Sequence, residues 1–91
     1  MSVLETEVII CNQKGLHARA AAAFVKCIAN IDAEVTVEKD GVEVDGGSIL
    51  SLMMLAASKG SVVRLKASGN EAQKAIDDLT VLIKNRFGEE I

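Results

Sequence analysis

The spacing of apolar residues changes several times along the chain, and each change predicts an element of secondary structure. Residues 5–11 are rich in Val and Ile, which predicts a first strand, and a polar turn follows at residues 12–15. Apolar residues then recur at intervals of three and four, which predicts a helix that begins near His17. The apolar stripe of this helix consists of Ala20, Ala23, Phe24, Cys27 and Ile31.

The next segment alternates apolar and polar residues, as half-buried strands do. Residues 33–38 and 42–44 alternate on either side of Asp40-Gly41, which predicts an antiparallel hairpin with one face in water. Residues 61–67 alternate in the same way and predict a fourth strand.

The short segment between the hairpin and the fourth strand is predicted to be a helix that is apolar on all sides. It covers residues 49–57, with Ser48 as its N-cap and Lys59-Gly60 after its end. Two faces are apolar at helical spacing: Ile49, Leu52, Met53 and Ala56 on one, and Leu50, Met54 and Ala57 on the other. A domain this small cannot bury both faces, so we expect one of them to pack in the core and the other to dock a partner.

The last helix is predicted to begin after Asn70, which would form a capping pair with Gln73, and to end at Gly88. Its apolar stripe comprises Ala72, Ala75, Ile76, Leu79, Leu82, Ile83 and Phe87. The predicted order is β-α-β-β-α-β-α, an α+β fold in which helices cover one face of a four-stranded, mainly antiparallel sheet. We expect a single domain over residues 1–91, because no linker or repeat divides the chain.

Composition excludes several classes of function. Apolar residues make up 49% of the chain and aromatic residues only 2%, so the core is expected to consist of Val, Ile, Leu, Ala and Met. Proteins that bind single-stranded nucleic acid use aromatic side chains and a basic groove, whereas this chain carries a net charge of −3. We therefore expect no nucleic-acid partner.

The sequence also carries information on the location of the protein and on its cofactors. The first seven residues lack the basic start of a signal peptide, and no apolar run approaches the roughly 20 residues of a membrane span, so we expect a cytoplasmic protein without membrane insertion. We also expect a monomer. Cys11 and Cys27 are too few for a disulfide framework, and with one histidine no four-ligand metal set is available. We interpret both cysteines as small buried apolar residues and expect no metal or other cofactor.

His17 is the only histidine, and it stands between a strand and an alanine-rich helix. A helix start exposes backbone N–H groups and carries partial positive charge, which makes it a site for anions. The same field disfavours a protonated ring, which leaves a nitrogen lone pair free to attack a phosphoryl group. Arg19 adds a guanidinium fork that matches phosphate oxygens. The alternative is an ordinary surface or capping histidine, and Gly15 and Arg19 favour the phosphate site over it.

The segment Gly15-Leu16-His17-Ala18-Arg19, followed by Ser48-Ile49-Leu50 and then by Lys59-Gly60, resembles the HPr family of histidine-containing phosphocarriers of the phosphoenolpyruvate-dependent phosphotransferase system. The resemblance covers nearly the whole chain. It implies an open-faced β-sandwich with the element order given above. It also implies a carrier, not an enzyme, that takes a phosphoryl group from Enzyme I and passes it to an Enzyme IIA domain.

The resemblance also implies roles for particular residues. His17 would accept the phosphoryl group, and Arg19 together with the backbone amides of Ala18 and Arg19 would bind it. Ser48 matches a serine that an HPr kinase/phosphorylase modifies in some lineages. The expected partner-binding residues are Leu16, Ala20, Ile49, Leu50 and Met53.

Two departures from the family pattern leave questions open. Ala20 occupies the position of the usual proline, which predicts a slightly less rigid helix start with the chemistry retained. The tail from Arg86 to Glu90 is also similar to the nitrogen-branch paralogues, so the sugar and nitrogen branches both stay possible.

Two other functions compete with the carrier. One is a regulatory adaptor that acts through phosphorylation of Ser48, but such adaptors lack the active histidine, which this chain has. The other is a small acylphosphatase-like enzyme, for which no second catalytic group is visible.

Overall fold

The computed structural model describes residues 2–91, and it contains four strands, three α-helices and a final turn of 3₁₀ helix. The strands are β1 (Leu4–Ile9), β2 (Glu34–Lys39), β3 (Val42–Asp45) and β4 (Val62–Ser68). The helices are α1 (Ala18–Ile28), α2 (Ile49–Met54) and α3 (Ala72–Lys84), and the 3₁₀ turn is Arg86–Gly88. The predicted β-α-β-β-α-β-α order is confirmed.

The strands form one sheet in the order β1-β4-β2-β3, and every neighbouring pair is antiparallel. Alternate residues of the strands, such as Val37, Val63 and Leu65, are buried on the face that the helices cover. The other face carries ion pairs from Arg64 to Glu7 and from Lys66 to Glu38 and Glu43. The α+β fold with one covered and one open face is thus the predicted one.

The core has a different composition from the one expected. Phe24 of α1 is the largest fully buried side chain, and Phe87 is buried as well. Met53 and Met54, by contrast, are 40% and 75% exposed. The prediction of a core built from aliphatic residues and methionine was therefore wrong in this respect. Both aromatic rings pack inside because burying so large an apolar area is strongly favourable.

The hairpin turn has the predicted geometry. Asp40 and Gly41, between β2 and β3, both have positive φ, at 52° and 83°. Two successive left-handed residues characterise a type I′ turn, whose twist matches that of the strands.

Three predicted helix ends were wrong. Helix α2 ends at Met54, before residue 57, because Ala56 has a φ of 52° and turns the chain toward the core. Asn70 and Gln73 form no cap; their side chains donate instead to Asp32 and Asp77, and the N-cap residue Glu71 makes no side-chain cap bond. Helix α3 ends at Lys84, before Gly88, and the chain then reverses through Arg86–Gly88.

Gly15 allows the loop before α1 to lie against the segment that follows α2. Its φ is 69°, and a Cβ at this position would lie 2.5 Å from the carbonyl oxygen of Ala57. The same oxygen accepts a hydrogen bond from the amide of Leu16 at 2.8 Å. The backbone that carries His17 is therefore fixed directly to the end of the α2 region.

We expect Gly15→Ala to destabilise the protein much more than Gly41→Ala. Both substitutions place a Cβ at positive φ, which costs about 1–2 kcal/mol, but the space beside Gly41 is open. At Gly15 the backbone of Ala57 and Ser58 must also move, which adds about 1–3 kcal/mol. Urea unfolding of the two variants measures the difference, and equal losses would show that the loop accommodates the methyl group.

Candidate functional site

His17 is the N-cap residue of α1 and so lies just before the helix. Its backbone is extended, with φ −81° and ψ −177°, and its side chain is 27% exposed. The ring nitrogen Nδ1 accepts a hydrogen bond from the amide of Arg19, with 3.4 Å between the nitrogens. The predicted placement of His17 at a helix start is confirmed, and Nδ1 faces the first amides of α1.

The second ring nitrogen of His17 contacts a residue near the C-terminus. Nε2 lies 2.5 Å from Oε2 of Glu89, whose side chain is only 12% exposed. The other carboxylate oxygen, Oε1, accepts a hydrogen bond from Nδ2 of Asn12 at 2.9 Å. Each oxygen of the Glu89 carboxylate therefore has its own partner.

Asn12 joins the loop before α1 to this carboxylate. It is fully buried, and its Nδ2 also donates to the carbonyl oxygen of Gly15 at 2.8 Å. Both neighbours of the amide nitrogen are acceptors, so the chemistry of the partners decides which side of the amide is NH₂. Asn12 thus holds Glu89 and the turn that precedes His17 at the same time.

The C-terminal tail, residues 86–91, is held against the loop by more than Glu89. The ring of Phe87 is 7% exposed and lies in the core. The carbonyl oxygen of Ile91 accepts a hydrogen bond from the amide of Gln13 at 2.7 Å. Arg86 and Phe87 both have positive φ, at 57° and 55°, a conformation that residues with side chains adopt only at a cost. The packing of the tail therefore sustains a strained turn.

The environment of Glu89 favours its charged form. The pKa of its carboxyl group is lowered, chiefly by the hydrogen bond from Asn12 and further by His17 and the charge of Lys14, against an opposing effect of burial. An ionised carboxylate can only accept hydrogen bonds. In the neutral ring the proton therefore lies on Nε2, and Nδ1 carries the lone pair.

Arg19 and Lys14 provide positive charge beside this arrangement. Together with Phe87 they border an open pocket of about 420 Å³. Among residues 2–91 neither cation makes an ion pair, so both are available to an anion. The amide of Ala18, the first residue of α1, has no acceptor within the helix, as at any helix start.

The predicted partner-binding residues divide into two groups. Ile49, Leu50 and Met53 are exposed on α2, and Met54 beside them is the most exposed of all at 75%. Leu16 and Ala20 were predicted wrongly: they are 5% and 0% exposed because both pack in the core. The exposed apolar patch is thus formed by Ile49, Leu50, Met53 and Met54.

Ser48 is the N-cap of α2, as predicted. Its hydroxyl oxygen accepts a hydrogen bond from the amide of Ser51 at 3.2 Å. The next residue along the chain, Ile49, belongs to the apolar patch, so a group attached to Ser48 would lie at the edge of that surface.

The two cysteines are half-buried and free. The thiol of Cys11 lies 3.2 Å from the carbonyl oxygen of Ile83, to which it donates, and burial raises the pKa of Cys27. Within residues 2–91 the structure contains no cluster of three metal-binding side chains. No helix in that part of the chain has both the length and the apolar character to cross a bilayer.

Known proteins resemble this chain over nearly its whole length. The sequence profile described as "PTS HPr component phosphorylation site" matches residues 4–85. The chain is 44% identical over 87 residues to the phosphocarrier protein HPr of Cupriavidus necator, which covers 96% of this chain and 98% of that protein. It is 36% identical over 89 residues to the phosphocarrier protein NPr of Shewanella violacea, with 98% of each chain covered.

A solved structure shares the whole fold. The crystal structure of HPr-C-His from Thermoanaerobacter tengcongensis matches with a TM-score of 0.92 and 42% identity, over 97% of this chain and 99% of that one. Sequence and structure together define a phosphocarrier component of the phosphotransferase system. The chain belongs to the HPr family.

Sequence reasoning missed Asn12 and Glu89 as site residues. Glu89 lies 72 residues from His17 along the chain and beyond the segment that the family profile matches, so no local pattern connects the two. In the sequence Asn12 is one of several polar residues in the turn after the first strand; only the structure shows that it is buried, where its amide requires a partner.

Proposed function

We propose that this protein carries a phosphoryl group on His17, which accepts it from phospho-Enzyme I and transfers it to an Enzyme IIA domain in the cytoplasm. The observation that carries the proposal is the orientation of the ring. Nε2 is paired with Glu89, and Nδ1 faces the start of α1. A nucleophilic lone pair therefore lies where the helix presents its unpaired amides.

The geometry suits transfer at Nδ1. A phosphoryl group on this nitrogen would replace its contact with the Arg19 amide and meet the positive end of the helix. The guanidinium of Arg19, which makes no ion pair within residues 2–91, would bind the phosphate oxygens as a fork. Ala18 and Arg19 would contribute backbone amides as well.

A carrier must hold its phosphoryl group between partners instead of releasing it to water. Glu89 is the acidic group at the ring, and it contacts Nε2, on the side of the ring away from Nδ1. A general base for hydrolysis has to lie within hydrogen-bond reach of the water molecule that attacks the phosphorus. This placement supports a stoichiometric carrier over a phosphatase.

The apolar patch of α2 is proposed as the docking surface for both partners. The segment after α2 is bonded through Ala57 to Leu16, next to His17, which supports a docking role because the helix that carries the patch is attached close to the reactive ring. Exposed methionines adapt to differently shaped partners, which suits a carrier that must recognise two proteins in turn. We further propose that the protein acts as a monomer.

Regulation at Ser48 is proposed as a second role, because this residue caps α2 at the edge of the patch. A phosphate there adds about two negative charges at a helix start, which the helix tolerates, and brings them to the docking surface. An HPr kinase/phosphorylase would be the partner in this case.

We expect His17→Ala to abolish phosphorylation and Arg19→Ala to slow it. Incubation with Enzyme I and phosphoenolpyruvate should give wild-type protein an adduct that acid hydrolyses and base does not. Arg19→Lys is the matched control for charge: it keeps the cation but loses the bidentate fork, so its rate should fall between those of wild type and Arg19→Ala. A folded His17→Ala variant that still acquires an acid-labile phosphoryl group would overturn the assignment.

For the docking surface, Leu50→Glu and Met54→Glu should weaken binding to Enzyme I and Enzyme IIA without lowering stability. A carboxylate is well hydrated on the free surface, but in a complex it would be desolvated and unpaired, at a cost of several kcal/mol. Val81→Glu is the matched control, because Val81 is equally apolar and 59% exposed on α3. Titration calorimetry measures the affinities, and similar losses for all three variants would exclude a specific patch.

The Ser48 proposal is tested with the same partners. Ser48→Asp should fold normally and receive the phosphoryl group more slowly, and added salt should reduce the difference. If the mimic and wild type react at equal rates at low salt, Ser48 is only a helix cap.

A further inference from the structure

We propose that Glu89 is a positioning residue for phosphoryl transfer: held by Asn12, it fixes the proton of the neutral His17 ring on Nε2 and so keeps Nδ1 as the nucleophile. This inference rests on the proposed carrier function. It assigns a role to the C-terminal tail, which lies beyond the residues matched by the family profile.

The contact geometry supports a fixed tautomer. The Glu89 carboxylate offers two acceptors, and each has a separate donor: Asn12 Nδ2 to Oε1 at 2.9 Å and His17 Nε2 to Oε2 at 2.5 Å. The carboxylate is ionised because these contacts lower its pKa. Asn12 cannot reverse its amide, since its NH₂ group also donates to the carbonyl oxygen of Gly15. Gly15 therefore orients the amide of Asn12, Asn12 orients the Glu89 carboxylate, and Glu89 orients the ring.

The transfer step also creates a positive charge on the His17 ring, next to the Glu89 carboxylate. The Nδ1 lone pair forms a bond to phosphorus, and the bond from phosphorus to phospho-Enzyme I breaks, with its electron pair returning to the donor atom. The Nε2 proton stays in place, so the ring becomes a phosphorylated imidazolium with one positive charge. The Glu89 carboxylate faces that charge directly. When the phosphoryl group leaves for the next partner, its bonding electron pair returns to Nδ1 and the ring is neutral again.

Replacement of Glu89 by glutamine should be worse than replacement by alanine. A glutamine has one oxygen and one NH₂ group in place of two oxygens. If its oxygen accepts from Asn12, its NH₂ group donates to Nε2, which forces the ring proton onto Nδ1 and removes the nucleophile. If the glutamine is reversed, two NH₂ groups face each other. Alanine imposes neither arrangement and leaves the ring with a mixture of tautomers.

The experiment compares wild type with Glu89→Gln, Glu89→Ala and Glu90→Gln. Glu90 is exposed and, among the residues that the structure describes, has no side-chain hydrogen bond or ion pair, so Glu90→Gln is the matched control for loss of one charge in the tail. Nitrogen-15 NMR of the His17 ring, recorded at about pH 9, well above the usual pKa of a free imidazole, reports which nitrogen carries the proton. Rates of phosphoryl acceptance from phospho-Enzyme I are measured on the same samples.

We expect wild type and Glu90→Gln to carry the proton on Nε2 and to react at equal rates. Glu89→Gln should shift the proton toward Nδ1 and react roughly ten- to a hundredfold more slowly, the loss expected for one hydrogen bond to a charged group. Glu89→Ala should lie between them. A tail contact that is merely structural would give the opposite order, with glutamine as the milder change.

The inference is overturned if Glu89→Gln keeps the proton on Nε2, or if its tautomer changes while its rate equals that of wild type. It is also overturned if alanine slows transfer more than glutamine. Wild type that takes no label from phospho-Enzyme I would instead refute the carrier function itself, and the NMR comparison would still decide whether Glu89 sets the ring proton.

Discussion

The buried amide of Asn12 is the contact on which the geometry of the site depends. It joins two parts of the chain that are far apart in sequence: the loop that contains Asn12 and Gly15, and the C-terminal tail. Because it is fully buried, its hydrogen bonds do not compete with water, and the loss of either would leave a polar group unpaired at a cost of about 1–3 kcal/mol. Asn12 thereby orients the Glu89 carboxylate, which contacts the ring of His17, while Phe87 and the backbone bond of Ile91 hold the tail in place.

The rest of the fold provides rigid support for that contact. The sheet and helices bury a core that includes Phe24 and Phe87, and Phe87 fixes the tail where it reverses after α3. Gly15 lets the loop approach Ala57 closely, so the start of α1 and the end of α2 are connected through backbone. The ring of His17, the exposed apolar patch and the start of α1 are thereby held in one arrangement.

Local patterns predicted most of the fold. The period of two in the strands, the Asp40-Gly41 turn and the stripe around Phe24 each depend on neighbouring residues, and each gave an element that the structure contains. The end of α2 could not be predicted, because the apolar pattern continues past Met54 while Ala56 adopts positive φ to bring Ala57 into the core. Leu16 and Ala20 show the same limit: the family resemblance implied a partner-binding role for them, but tertiary packing buries both. Within the site, His17 and Arg19 were predicted from their position at a helix start. The pairing of His17 with Glu89 could not be predicted, because it depends on the tertiary contact between the C-terminal tail and the loop before α1.

The central claim is that His17 is phosphorylated on Nδ1. The most direct measurement is the one-bond coupling between phosphorus-31 and nitrogen-15 in the uniformly labelled, phosphorylated protein. Because Nε2 faces Glu89 and Nδ1 faces the amides of α1, the coupling should be observed at Nδ1 alone. A phosphoryl group bonded to Nε2, or to any residue other than His17, would contradict the account.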